Sequence, residues 1–376
     1  MKAPAPRAGQ LVKIRKRLLE FSLWPVRRGQ GGWISNTKLF VAYPWPLIRH
    51  AVESKCPKAS RKAALAFLEQ STDFYNAAMA AGTAAAKPVL LYYSFLNLAK
   101  VLILVRGLQS TLDIAGHGLR ERLGPGKREL LDASLLLEAS KPNRLSMFDQ
   151  LLVALRGIGL PSDSTCPVPA LLRQVAAGHR LFASASKSQE CLITLDRAEI
   201  LDDGTGSIWF RLALVDGDLY RIGLGQTQLL QRSGLARAFR RVSSPAGYPV
   251  DRVWFEQISP VSYNPGWLPN SVPRLVDVLR LQIRQIALST PPYRTYYLFL
   301  SPPAETAFVF PQIISSYAAL FYFGSITRYR PHHFDSILRG AYGPFVEAFL
   351  QDEPAQLLFL MAAEFVQRDV ARAPLV

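Results

Sequence analysis

Apolar and polar positions follow two different rhythms along this chain. From Ala59 to Ala84 apolar residues recur at helical spacing, with Ala64, Phe67, Leu68, Phe74, Tyr75 and Ala78 on one side. The next run, Lys87 to Gly107, reads KPVLLYYSFLNLAKVLILVRG and is the longest apolar stretch. Pro88 suits a first helical turn and Gly107 a helix end. Ser94, Asn97 and Lys100 fall on one narrow stripe at ~100° per residue, and the remaining surface is Leu, Val, Ile, Tyr and Phe. A helix apolar on nearly all sides is buried in protein or spans a membrane. The three polar residues, one of them a lysine, argue against spanning. The spacing therefore predicts a buried central helix whose Asn97 and Lys100 either reach the surface or line a groove.

The rhythm changes near Gln189. CLITLDRAEI, SIWFRLALV and DLYRIGLG are β-rich and are separated by DDGTG and DGD, which predicts a small antiparallel sheet over 189–260, with a later strand in YRTYYLFLS. GLGQTQ (Gly223 to Gln228) reads as a strand end. Ser271 to Ser289 is a helix starting near Pro273, and Arg144 to Phe182 holds two short helical patterns. Pro311 to Arg328 and Pro344 to Val370 are helical, the second amphipathic. The first 30 residues carry a helical stripe of Leu11, Ile14, Leu18 and Leu19 that suits a nucleic-acid arm, a membrane-surface helix or a helix docked on the domain, and docking is favoured because Leu18, Phe21, Leu23 and Trp24 need burial. Together these elements give an α+β, mainly helical chain in four stretches. They are a basic arm and irregular wrap at 1–58, a helical core at 59–188, a β-rich insert with one helix at 189–310, and closing helices at 311–376. One integrated domain is expected.

Charge narrows the partners. Lys+Arg number 44 against 28 Asp+Glu, a net +16, and the sequence pI is ≈ 9.9. Such an excess points to an anionic partner: RNA or DNA, an acidic membrane surface, or an acidic protein subunit. The clusters are Lys13 to Arg17, Arg27–Arg28, and Arg120, Arg122, Lys127 and Arg128 around a Gly-Pro-Gly break. Cys56, Cys166 and Cys191 are too far apart for metal-ligand spacing and are odd in number, which fits a reducing cytoplasm. No secretory signal pattern is present, and neither are Walker A, dinucleotide Gly, Gly-x-Ser-x-Gly or His-Glu-x-x-His motifs. No metal or cofactor is expected.

Three segments resemble the YaaC-like protein family: the PVLLYYSFLNLAKVLIL helix, the His117-Gly118-Leu119 triplet that follows it, and YAALFYFGSITRYRPHHF (Tyr317 to Phe334). The resemblance implies an architecture related to the HEPN type of helical domain, which is common in bacterial toxins and antiviral defence. It also implies a search for Arg followed, after four to six intervening residues, by His, the pattern of many HEPN ribonucleases. Arg328 and His333 fit that spacing, as do Arg173 and His179, although about one such match is expected by accident in this composition.

Arg328 and His333 are thus the candidate catalytic pair. Histidine supplies a base near neutral pH and arginine a cation for developing phosphorane charge, with no metal needed. The plainer reading has Arg328 pairing with an acid or capping its helix, and Pro331 separating the two residues. Asn97, Lys100, His117, Arg120, Arg122, Lys127 and Arg128 are the candidate binding residues. The expected functions are nucleic-acid or nucleotide binding in a defence-type component, metal-independent RNA cleavage, or non-catalytic docking of a protein partner.

Overall fold

The computed structural model describes residues 3–14, 16–24, 26–28, 34–36, 38–123, 130–264, 268–283, 286–288 and 295–372. The fold is α+β and its contacts form two compact units. One comprises 42–189 with 307–366, and the other 1–41 with 190–306 and 367–376.

The first unit is helical, and the central helix Lys87–Val105 organises it. Pro88 lies in its first turn. At the other end Gly107 takes φ +67°, while the N–H groups of Gly107 and Leu108 bond back to Leu104 and Ile103. This is a Schellman stop, which needs the left-handed residue that glycine supplies without strain. Among the described residues this is the one helix long and apolar enough to cross a membrane, but most of it is buried inside the unit.

The polar stripe of this helix faces Lys58–Ala80. The Ser94 hydroxyl donates to the Ser71 carbonyl at 2.8 Å, and the Ser71 hydroxyl donates to the Ser94 carbonyl at the same distance. Asn97 donates to Gln70 at 2.7 Å, and Lys100 Nζ sits 4.6 Å from the centre of the Phe67 ring. The stripe is therefore a helix–helix seam, where hydroxyls small enough to permit close approach also satisfy each other's backbone.

The opposite side packs on Gln312–Tyr329, which is also apolar nearly all round. Tyr92 meets Phe321 edge-on at 5.2 Å and Tyr317 at 5.8 Å. Gly324 faces Pro88 and Tyr92 so closely that a Cβ would lie 3.3 Å from the Pro88 carbonyl oxygen and 3.2 Å from Tyr92 Cβ. The start of one helix thus lies beside the end of the other, so the pair is antiparallel.

The helix Gly343–Val366 is buried along most of its length, not amphipathic as its sequence suggested. Its Glu353 is completely buried and accepts a 2.5 Å hydrogen bond from Ser316. Burial pushes the Glu353 carboxyl up to about 7, against partial relief from Ser316 and the Ala177 backbone.

The second unit is built on an antiparallel sheet. Arg197–Asp202, Ser207–Val215, Arg252–Gln257 and Phe239–Val242 lie side by side, and Gln10–Leu11 extends the sheet beyond Arg197–Asp202. The N-terminal stretch is therefore strand where a helix was expected: Leu19 and Phe21 are buried but Leu18 is exposed. The DDGTG turn forms as read, with Asp203 accepting from the N–H groups of Thr205, Gly206 and Ser207. Those bonds hold its carboxyl well below the usual carboxylate range. Ile200, Phe210, Leu212 and Phe255 face a core shared with Val272, Leu275 and Leu279 of the helix Leu268–Gln282. Further differences are local. Trp45–Lys55 is a helix within the stretch read as irregular, Asp216–Arg221 is a helix where DLYRIGLG read as strand, and Gln226–Ser233 is a helix capped by Gly225 where a strand end was expected. The helix read over Ser271–Ser289 runs Leu268–Gln282, and Ile286–Leu288 is strand.

Two stability tests follow from the helical unit. Gly324→Val should lower the unfolding free energy by about 1–3 kcal/mol through overpacking, read as a lower urea midpoint at unchanged m. Glu353 holds its proton more tightly folded, at about 7, than at its ordinary 4.5. Its contribution to stability is therefore full below about 4.5 and is lost as pH rises through about 7. Across that window unfolding free energy should fall by roughly 3 kcal/mol, a slope that Glu353→Gln should remove.

Candidate functional site

The antiparallel helix pair leaves an open cavity of about 370 Å³ beside Gly324. Its walls come from three stretches. Tyr92 and Tyr93 come from the central helix, Phe321, Ser325, Arg328 and Tyr329 from the closing helix, and His117, Arg120 and Glu121 from the segment between. That segment is positioned locally. Gly118 at φ +74° turns the chain against Ser146, leaving no room for a Cβ there, and Phe148 N–H bonds to the His117 carbonyl at 3.2 Å. Leu119–Arg122 then pairs antiparallel with Ser134–Leu137.

His117 Nδ1 lies 2.6 Å from the Tyr92 hydroxyl. Burial, then the charges of Lys100 and Arg328, hold the imidazole below its ordinary 6.5, so it is neutral at physiological pH. Burial raises the Tyr92 hydroxyl well above its usual range, so that group stays protonated. Glu121 accepts from Ser325 at 2.9 Å and pairs with Arg330; burial nonetheless raises its carboxyl. Arg120 pairs with Glu138 at 3.1 Å. Arg328 differs from these two arginines. Its guanidinium donates to the Tyr93 hydroxyl at 2.6 Å and lies 5.0 Å from the Tyr329 ring centre, and no carboxylate among the described residues pairs with it.

The candidate residues separate accordingly. His117, Arg120 and Arg328 line the cavity. Asn97 and Lys100 lie in the seam with Lys58–Ala80, although the Lys100 charge still acts on His117, and burial lowers the Lys100 pKa. Arg122 is exposed on its strand, away from the cavity lining. Lys127 and Arg128 lie outside the described residues. His333 is not in the lining either. Arg330 breaks the helix at φ −143°, Pro331 starts a new one, and His333 sits in its first turn beside His332. Arg173 lies 6.0 Å from the Phe182 ring centre, while His179 contacts the Ala176 carbonyl. Among the described residues no group of three His, Cys, Asp or Glu side chains is placed to hold a metal ion.

A family model described as YaaC-like protein matches residues 36–365. The chain belongs to the YaaC-like protein family. No curated protein and no solved structure matches it. The three segments that carry the YaaC-like pattern meet at this one cavity, through Tyr92 and Tyr93, through His117, and through Ser325, Arg328 and Tyr329. Sequence reading missed the tyrosines because they passed for core, and missed Glu121 and Ser325 because single polar residues carry no spacing. The Tyr-Tyr pair inside the PVLLYYSFLNLAKVLIL segment was the available signal.

His117 should titrate below 6.5 when its ring carbons are followed by NMR. Lys100→Met and Arg328→Gln should each move it upward, since each removes a positive charge that opposes protonation.

Proposed function

We propose that this YaaC-like chain binds a nucleotide unit, free or within RNA or DNA, in the cavity beside Gly324. The observation that carries this reading is Arg328, a guanidinium with no carboxylate partner among the described residues, set between Tyr93 and Tyr329. Phosphate is the anion that such a fork matches best, and exposed aromatic faces stack on bases without regard to sequence. The volume lies in the ~300–1,000 Å³ range of small-ligand sites. The +16 charge supports an anionic partner of larger extent. We read the helical unit as HEPN-like and the protein as a cytoplasmic, defence-type component.

A second reading, RNA cleavage without metal, is favoured by one feature: neutral His117 shares the cavity with Arg328, whereas His333 does not. With the proton on Nδ1 donated to the Tyr92 oxygen, Nε2 is free to take the proton of a ribose 2′-hydroxyl. The 2′-oxygen–phosphorus bond then forms as the 5′-oxygen leaves, and water returns a proton to that oxygen. Arg328 would face the phosphorane charge.

Fluorescence anisotropy with labelled single-stranded RNA, across a salt series, tests both. Affinity should fall steeply with salt. Arg328→Gln should weaken binding roughly tenfold to a hundredfold, the worth of a charge-assisted hydrogen bond of ~1.5–3 kcal/mol. Absence of binding to RNA, DNA and free nucleotides at low salt would reject the reading. Cleavage in EDTA that His117→Ala abolishes, while binding persists, would establish the second reading; intact RNA would leave binding alone.

A further inference from the structure

The sheet unit has one face that is not aliphatic. Cross-strand neighbours there form a row of alternating charge: Glu199 faces Arg211, Arg211 faces Glu256, and Glu256 faces Arg240. Glu199 holds Arg211 at 2.8 and 3.1 Å, and Arg240 reaches Glu256 at 3.0 Å. Trp254 lies on one side of this row and Trp209 on the other, and Glu256 and both indoles are buried.

The extended segment Pro4–Gly9 lies across this face. The Arg7 backbone N–H donates to Glu256 Oε2 at 2.8 Å. Its guanidinium sits 5.2 Å from the Trp209 ring centre and reaches the carbonyls of Gln257 and Ile258 at 3.4 and 3.1 Å. Pro4 accepts from Ser243 N–H at 2.8 Å. Gly9 passes so close to Trp209 that a Cβ would overlap the ring. These contacts read a sequence: prolines that favour an extended backbone, an arginine fork over an aromatic face, and a residue with no side chain.

The fit is incomplete on two counts. Pro4, Ala5, Ala8 and Gly9 have their outer sides in water. Both buried indole N–H groups lack an acceptor among the described residues, although a buried tryptophan usually finds one.

We propose that this face is a recognition site for an extended Pro-x-Pro-Arg segment, that the N-terminal strap is its resident occupant, and that a partner protein presenting such a segment takes its place when the strap lifts. The buried Glu256 carboxylate reads the backbone N–H of the arginine, and Trp209 reads its guanidinium. The strap resists exchange because its tether keeps it at a high effective concentration, on the order of millimolar.

The test uses the full chain and a fluorescein-labelled peptide of residues 3–10. Gly9→Ala in the chain should eject the strap by collision with Trp209. That variant should then bind the peptide at least tenfold more tightly than the wild-type chain does. A peptide carrying Arg7→Ala should lose at least tenfold. In the wild-type chain, millimolar peptide should speed hydrogen exchange of residues 3–9. The proposal is overturned if the Gly9→Ala chain, with unchanged circular dichroism, ignores the peptide, or if the Arg7→Ala peptide binds equally well. Should Gly9→Ala disrupt the sheet, the wild-type exchange experiment decides alone: no change in residues 3–9 rejects the exchangeable strap.

Discussion

At Gly324 the closing helix approaches the central helix to within van der Waals distance of its backbone, with room for a hydrogen and for little else. The two helical walls of the cavity are placed from that contact. One turn before Gly324, Phe321 meets Tyr92; one turn after it, Arg328 meets Tyr93. Two helices with so little polar surface are held together by burial, which has no direction of its own. The glycine converts that undirected attraction into a fixed crossing, because a close approach is possible at few places along the interface. The same geometry explains the charges. Arg328 and Arg330 flank the helix end, and among the described residues a single acid, Glu121, reaches the second of them.

Much of this helical unit was legible in the sequence. Pro88, the long apolar run and Gly107 mark the central helix because start signal, period and stop signal agree locally. The Asp-Asp-Gly-Thr-Gly turn was legible for the same reason. The N-terminal strands were not. Gln10 and Leu11 pair with Asp202 and Leu201, far along the chain, and no local window contains such a partner. Leu11, Ile14 and Leu18 happen to fall at helical intervals. The burial of Gly343–Val366 was hidden differently, since Glu353 and Gln356 look solvent-facing until Ser316 supplies a buried partner for the former.

The site was legible in part, and for a different reason. His117 and Arg328 stood out through family pattern, and the cavity does contain both. Asn97 and Lys100 stood out through their place on a polar stripe, but a stripe has the same period whether it faces a ligand, water or another helix. Here Gln70, Ser71 and Phe67 answer it. The tyrosines were the reverse case. Their rings count as core in any hydropathy pattern, while their hydroxyls hold His117 and Arg328 in place.

The paired serines in the seam carry a mechanical consequence for the cavity. Ser71 and Ser94 each donate to the other's carbonyl, so sliding either helix along its neighbour by one residue breaks both bonds at once and leaves two buried hydroxyls without these acceptors. The central helix is therefore a strut and not a piston, and Tyr92 and Tyr93 are fixed points on it. On the other walls the Leu119–Arg122 strand meets the break at Arg330, and the Glu121–Arg330 ion pair ties the two together.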